Sequence, residues 1–353
     1  MRVLKELIKN KTAFLSLLVL GLLYLGALFA PFFSPYHFDD QAADKLWSTP
    51  TKVHFFDKEK KIYFRPFIYG QELTVDKYFR RVYREDRSQI HFIKFFSKGW
   101  KYKLFGLWES DRHFFGADKA RIYLLGADLK GRDLLSRIIY GSRISLTIGI
   151  IGSLITFVLG VMVGGISGYY GGRTDTVLMR IVEMIMMLPG FYLMLALRAS
   201  FPPHLSSTQI YLLLVVILSF IGWASFARVI RGMAMSLRER EYVNAARAMG
   251  IPDLKIIIRH IIPHTMSYGI VALVLGIPGY ILGESSLSLI GLGIQEPDAS
   301  WGNLLSQAMG IVNIKLYPWI LYPGLFIVIA TMCFYVLGEA LRDVLDPKRK
   351  MKL

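Results

Sequence analysis

His260 and His264 stand four residues apart, which puts two imidazoles on one helix face at a spacing that can bind zinc. A hydrolytic zinc site of that pattern follows its first His with Glu, whereas Ile261 follows His260, and no third ligand is near. The pair is therefore read as polar interface residues, and no metal site is expected. Cys333 is the single cysteine, so an intramolecular disulfide and a multi-cysteine metal site are excluded. It lies in an apolar run and reads as a small buried hydrophobe. Glu183, beside Arg180, and Glu284 sit near the edges of apolar runs. Charge inside a membrane is costly and marks function by default, but near the end of a span a long side chain snorkels to water. Glu183 and Glu284 are candidates for lining a pathway, with snorkelling as the plain alternative. Arg342, Asp343 and Asp346 read as a solvated helix end. No nucleophile–base pair lies within the apolar runs, and no G-x-x-x-x-G-K-[ST] phosphate cradle occurs anywhere. No catalytic residue is assigned and the chain is not read as an enzyme.

The elements that must position these residues are membrane spans. The chain has 353 residues, of which 54% are hydrophobic and 19% charged, with a mean hydropathy of +0.42. A soluble domain carries about 25% charge, so the balance argues against an ordinary cytosolic enzyme and against a disordered chain. The net charge of +16, in so apolar a chain, points to membrane orientation and anionic headgroups rather than to nucleic acid. Six runs approach the roughly 20 apolar residues that a span needs: residues 13–33, 144–170, 184–197, 210–227, 265–283 and 316–338. The third is short and must reach back over Glu183. The first follows Arg2, Lys5, Lys9 and Lys11 as a signal peptide would. It is too long for one, and Leu28 stands where a small residue should precede a cut, so it reads as an uncleaved anchor. Pro189 and Pro278 fall inside the third and fifth runs and are expected to kink them. Lysine and arginine concentrate in the N-terminus, in residues 173–180 and 228–264 and in the tail, while the two short loops on the other side carry only Arg198 and Lys315. Residues 34–137, on the other side, carry 21 lysines and arginines, but the positive-inside rule counts short loops, and by it both termini are expected to be cytoplasmic.

Residues 34–137 form a charged, aromatic insertion between the first two spans. Residues 52–56 and 62–69 around a polar 57–61 turn read as one hairpin. Residues 90–96 and 100–108 around Ser97-Lys98-Gly99 read as another. A small β-rich extracytoplasmic subdomain is expected, either a docking surface for a soluble partner or a cap over the membrane mouth. Within the second span Gly160, Gly164, Gly168 and Gly172 recur at i+4, a small-residue stripe that lets helix backbones approach. Packing within the chain or a subunit interface would each use it.

The informative segment is residues 236–264, SLREREYVNAARAMGIPDLKIIIRHIIPH. A helix is predicted over 239–249, stopped by Gly250 and Pro252, with a second short helix over 253–262 before Pro263 opens the fifth span. Ala245 and Ala246 keep one face flat, and Gly250 permits a sharp turn. This stretch resembles the coupling loop of ABC-importer permeases: Glu-Ala-Ala, three residues, Gly, nine residues, Ile-x-Leu-Pro. Ala245, Ala246, Gly250 and Pro263 fall in register, and Ile262 replaces Leu. Asn244 stands where the pattern has Glu, and His260 where it has Ile. Glu241 lies three residues earlier, in the Glu-Tyr-Val-x-Ala-Ala-Arg-Ala form typical of dipeptide and oligopeptide permeases, and is the better acidic contact. LGADLKGRDLLSRIIYGSRISL, GYYGGRTDTVLMR, ILGESSLSLIGLGIQEPDASWG and GEALRDVLDP resemble other stretches of the same family in the same order. The likeness covers residues 126–347 and the first span, leaving out the insertion.

The resemblance implies an all-α polytopic permease with six transmembrane helices and the ABC type I importer fold, of the C-type in the dipeptide/oligopeptide (peptide/nickel) family. The expected parts are a cytoplasmic N-terminus and first span (1–33), the insertion (34–137), a permease core (138–340) containing the coupling loop (236–263), and a cytoplasmic tail (341–353). The implied partners are a B-type sister permease, one or two cytoplasmic ATP-binding subunits and an extracytoplasmic substrate-binding protein, in a bacterial inner membrane. No cofactor is expected on this chain; ATP and Mg belong to the partner subunits. Within the family the cargo is a peptide or, alternatively, a nickel chelate, an oligosaccharide or glutathione. Outside it, an ion-coupled carrier or channel would need a midplane charge or broken-helix site.

Overall fold

The computed structural model describes residues 2–56, 62–75, 77, 81–117, 120–202 and 205–345. In chain order the elements are α1 (Arg2–Lys9), α2 (Lys11–Leu28), α3 (Ala30–Phe33), β1 (His54–Phe56), β2 (Ile62–Val75), β3 (Arg81–Leu104), β4 (Trp108–Ala117), α4 (Leu134–Tyr170), α5 (Gly172–Met187), α6 (Gly190–Ala199), α7 (Ser207–Arg238), α8 (Glu241–Ala248), α9 (Asp253–Ile256), α10 (Ile262–Leu289), α11 (Trp301–Leu305), α12 (Ile311–Leu316) and α13 (Tyr322–Leu345). Among the described residues, five helical stretches are long and apolar enough to cross a membrane, or six if one bent pair is counted as a single span. That pair is α5 and α6, which meet at 84°. The third run is thus broken rather than a single kinked span. Leu188, ahead of Pro189, is extended (φ −79, ψ 128), because the pyrrolidine ring denies the preceding residue its helical conformation. Pro278 instead stays inside α10.

The chain divides into two compact units. The first comprises residues 1–21, 146–287 and 328–353. Its α4 packs on α7 through the glycine stripe. A Cβ at Gly160 would strike the Phe226 ring, one at Gly164 the Ala227 carbonyl, and one at Gly168 the Arg231 carbonyl. Gly172 lies outside the stripe. α4 ends at Tyr170, and Gly172 starts α5 with φ +52 and open space around it. Polar groups between helices are paired: Ser153 Oγ donates to the Leu273 carbonyl at 2.6 Å, and the Thr156 and Tyr280 hydroxyls bond each other. Leu7 and Ala13 join Val271, Ala340 and Leu341 in a separate apolar cluster.

The second unit comprises residues 22–145 and 288–327. Its centre is a four-stranded antiparallel sheet in the order β1-β2-β3-β4. β1 and β2 pair as expected (His54 opposite Phe67); the predicted 57–61 turn lies outside the described residues. The second hairpin differs from the sequence reading. Ser97 and Lys98 stay in the ladder opposite His113 and Arg112, and the chain reverses at 104–107. There Leu107 N–H donates to the Leu104 carbonyl at 3.0 Å, with Phe105 at φ 52 and Gly106 at φ 73. Two successive positive φ values make a type I′ turn, whose twist matches the strands. Gly99, which suggested the turn, serves packing instead: a Cβ there would collide with the His113 ring. Buried Trp301 donates its indole N–H to the Ile138 carbonyl at 3.1 Å, and Trp319 donates to Ala127 at 3.0 Å. Arg143 caps the end of α2, donating to the carbonyls of Ala27 (2.7 Å) and Leu28 (3.2 Å), as a basic side chain at a helix C-terminus does.

Candidate functional site

The helix–glycine–helix segment forms and is held against the ends of α4 and α7. α8 stops in a Schellman motif. Gly250 N–H donates to the Arg247 carbonyl (3.0 Å) and Ile251 N–H to the Ala246 carbonyl (3.2 Å), with Gly250 at φ 76. An L side chain is strained at that angle, so glycine is the residue that closes this cap. Val243, Ala246, Ile256, Ile257 and Ile261 pack with Tyr169 of α4 and Ala234 of α7. Tyr169 donates its hydroxyl to Asp253 at 2.7 Å, and the Arg247 guanidinium lies 5.3 Å over the Tyr169 ring. Hydrogen bonding to Tyr169 holds Arg247 above the usual arginine range. The separate short helix expected over 253–262 does not form: beyond α9 the chain does not break before α10. It runs through a π turn, Ile257–Ile261, straight into α10, with Ile262 N–H reaching back to the Ile257 carbonyl. The widened turn absorbs Pro263, which sits exposed in the first turn of α10.

The predicted residues distribute unevenly. Glu241, Asn244 and Ala245 are exposed on α8, and Ala246 is buried beneath them. Ala245 and Ala248, rather than Ala245 and Ala246, share the flat outward face. Tyr242, Met249, Leu254 and Ile258 are also exposed, so the segment carries an apolar outer crest while its inner face is packed. His264 donates Nδ1–H to the His260 carbonyl at 2.9 Å, and its ring stacks on Tyr242; among the described residues no cluster of His, Cys, Asp or Glu is suited to a metal. Glu183 pairs with Arg180 at 3.0 Å on the half-exposed side of α5. Glu284 is fully buried and accepts from Ser285 at 3.4 Å. The two acids are thus in unlike settings. Between α4, α6, α7 and α10 lies a cavity of about 350 Å³, lined mainly by apolar groups with Ser153, Thr156 and Tyr280 among them.

Two charged clusters escaped the sequence reading. Below α7, Arg231 forks onto Asp175 with both contacts at 2.5 Å, and Ser167 donates to the same carboxylate at 2.5 Å. In the second unit Asp128 accepts from Arg132 (2.7 Å) and Arg137 (2.8 Å), and Arg132 reaches Glu296 (2.5 Å). Lys130 also pairs with Glu296. Asp128, Arg132 and Arg137 are essentially inaccessible to solvent, so they persist as a mutually neutralising set. Next to them Asp133 caps α4, accepting from Ser136 N–H at 2.8 Å and its hydroxyl at 2.6 Å. Burial pushes its carboxyl up to about 7, against the pull of those bonds. The signal was present as Asp, Gly-Arg-Asp and Ser-Arg within ten residues, but pairing with Glu296, over 150 residues away, is invisible in sequence.

These features sit on a chain whose residues 134–351 match the family model of the binding-protein-dependent transport system inner membrane component. The chain belongs to that family, and is a multi-pass membrane transport subunit. Residues 1–50 match the N-terminal TM domain of oligopeptide transport permease C. The oligopeptide transport system permease protein OppC of Haemophilus influenzae is 41% identical over 227 residues, 64% of this chain and 70% of that protein. The dipeptide transport system permease protein DppC of Bacillus subtilis is 38% identical over 223 residues, covering 63% and 68%. Among solved structures, inward-facing conformations of the MetNI methionine ABC transporter align over 60% of this chain and 98% of that one, with a TM-score of 0.47 and 15% identity.

Proposed function

We propose that the chain is the C-type permease subunit of an ATP-driven importer of peptides, forming half of the translocation pathway beside a B-type sister permease. One or two cytoplasmic ATP-binding subunits, which hold the ATP and Mg, dock on the 236–263 loop, and an extracytoplasmic binding protein delivers cargo. The complex lies in a bacterial inner membrane, with both termini cytoplasmic. The relatives named as oligopeptide and dipeptide permeases support the cargo, and the lysine and arginine distribution supports the orientation.

The observation that carries this reading is the α8–Gly250–α9 element with its packed inner face and exposed Met249, Leu254 and Ile258. α8 follows α7 after only Glu239 and Arg240, and α9 is continuous with α10. A push on the crest is therefore delivered to two spanning helices at once. Both line the cavity beside Gly222, Gly276 and Tyr280, so their tilt changes the space there.

Gly250→Pro tests the coupling, because proline is confined to φ near −65° and Gly250 sits at φ 76. The expected result is membrane insertion at the normal level with ATP-dependent peptide uptake abolished. Unchanged uptake would overturn the coupling role.

A further inference from the structure

The β3–β4 hairpin is aimed at the end of a membrane span. α2 is 18 residues of almost wholly apolar sequence, about 27 Å long at 1.5 Å per residue, close to the roughly 30 Å of a bilayer's hydrocarbon core. Where it stops, four aromatic contacts join it to the hairpin. Phe29 meets Phe105 edge-on at 5.8 Å between ring centroids, Phe32 lies 6.1 Å from Phe96 and 6.0 Å from Phe114, and Phe33 lies 5.6 Å from Phe114. His113 fixes the same edge, with Nδ1 2.8 Å from the Pro31 carbonyl oxygen. The tip of the hairpin thus lies level with the last turn of α2.

That tip has the wrong chemistry for water. Phe105, Leu107 and Trp108 are 51%, 76% and 64% exposed. The first position of a type I′ turn normally holds Asn, Asp or Gly. Here Phe105 takes it, at a left-handed φ of 52 that disfavours a side chain of this kind. Residues 93–104 of the strand leading to the turn carry four lysines and no carboxylate, with Lys103 paired across the ladder to Glu109 at 3.2 Å. Apolar rings and an indole at the apex with ammonium groups behind them, beside the end of a span, match the interfacial layer of a bilayer, where aromatic rings sit among headgroups and lysines meet phosphates.

We infer that the Leu104–Trp108 apex of the β3–β4 hairpin inserts into the headgroup layer of the leaflet at the C-terminal end of α2, as a lipid-bound foot that sets the stance of the sheet. The inference rests on α2 crossing the membrane and not on what the transporter carries. Interfacial apolar groups sit about 5–10 Å into the headgroup–acyl boundary.

The test uses the full-length chain in nanodiscs containing phosphatidylglycerol, with Cys333→Ser removing the native thiol. A nitroxide is attached at Leu107→Cys or, as control, at Ser88→Cys, which is exposed farther back along β3. The expected result is that the 107 label is relaxed more by oxygen than by a water-soluble nickel chelate, while the 88 label shows the reverse order. Leu107→Cys combined with Phe105→Ser and Trp108→Ser should keep the sheet folded and move the label toward the aqueous pattern. The inference fails if the 107 label matches the 88 label in lipid. It fails equally if 107 becomes shielded only when a soluble binding protein is added, or if it shows spin–spin broadening from a second copy.

Discussion

At the scale of single residues the buried charges dominate. Arg132 and Asp128 have no solvent access, so removing one partner leaves the other desolvated and unpaired, typically a loss of about 3–5 kcal/mol. Arg132→Met should therefore cut folded yield and lower the melting temperature sharply in detergent. Lys130→Met, at a contact about 38% exposed on both sides, should cost less than about 1 kcal/mol. Thermal unfolding of the two purified variants checks both. Comparable losses would mean that the network is not organised around the buried Asp128. Gly250 makes the complementary point: its role is conformational, with nothing within 4 Å of a built Cβ.

At the scale of elements, α4 against α7 is the contact with least room. Gly164 and Gly168 bring the α4 backbone onto the carbonyls of Ala227 and Arg231, so any larger side chain must push the helices apart. Gly168→Leu should destabilise by about 1–3 kcal/mol or more through overpacking and raise protease sensitivity of the 236–264 segment. Gly172→Ala meets no neighbour and carries only the penalty of its φ of +52, so it should leave that sensitivity near wild type. Limited proteolysis of both variants separates the cases. The short-range pattern misled in two elements. Gly99 looked like a turn residue, yet the aromatic ring of His113 claims its empty side. Pro263 looked like a helix start, yet the π turn ahead of it lets α9 and α10 run on.

At the scale of the molecule, the two compact units each draw on separated stretches of sequence. The dividing points fall within α2, α4, α10 and α13. On the proposed function this chain forms half of a pathway beside a sister permease. A tagged chain, solubilised gently, should therefore bring with it a second six-span permease and one or two ATPases, and vesicles should import peptide only with ATP. Purification alone with transport intact would move the reading to a self-sufficient carrier.

The apolar runs and their order were legible in the residues themselves, because hydropathy acts along the chain and needs no partner in space. The 236–264 segment was legible for the same reason: an alanine pair, a glycine stop and a proline are local requirements of backbone geometry. What only the tertiary structure decided depends on contacts between distant residues. It turned Ala246 inward while leaving Ala245 outside, joined Asp128 and Arg132 to Glu296, broke the third span at Leu188 instead of bending it, and moved the hairpin reversal from Ser97–Gly99 to Phe105–Gly106 beside the end of α2. Each outcome was set by what packed against the residue, and sequence spacing does not encode that neighbour.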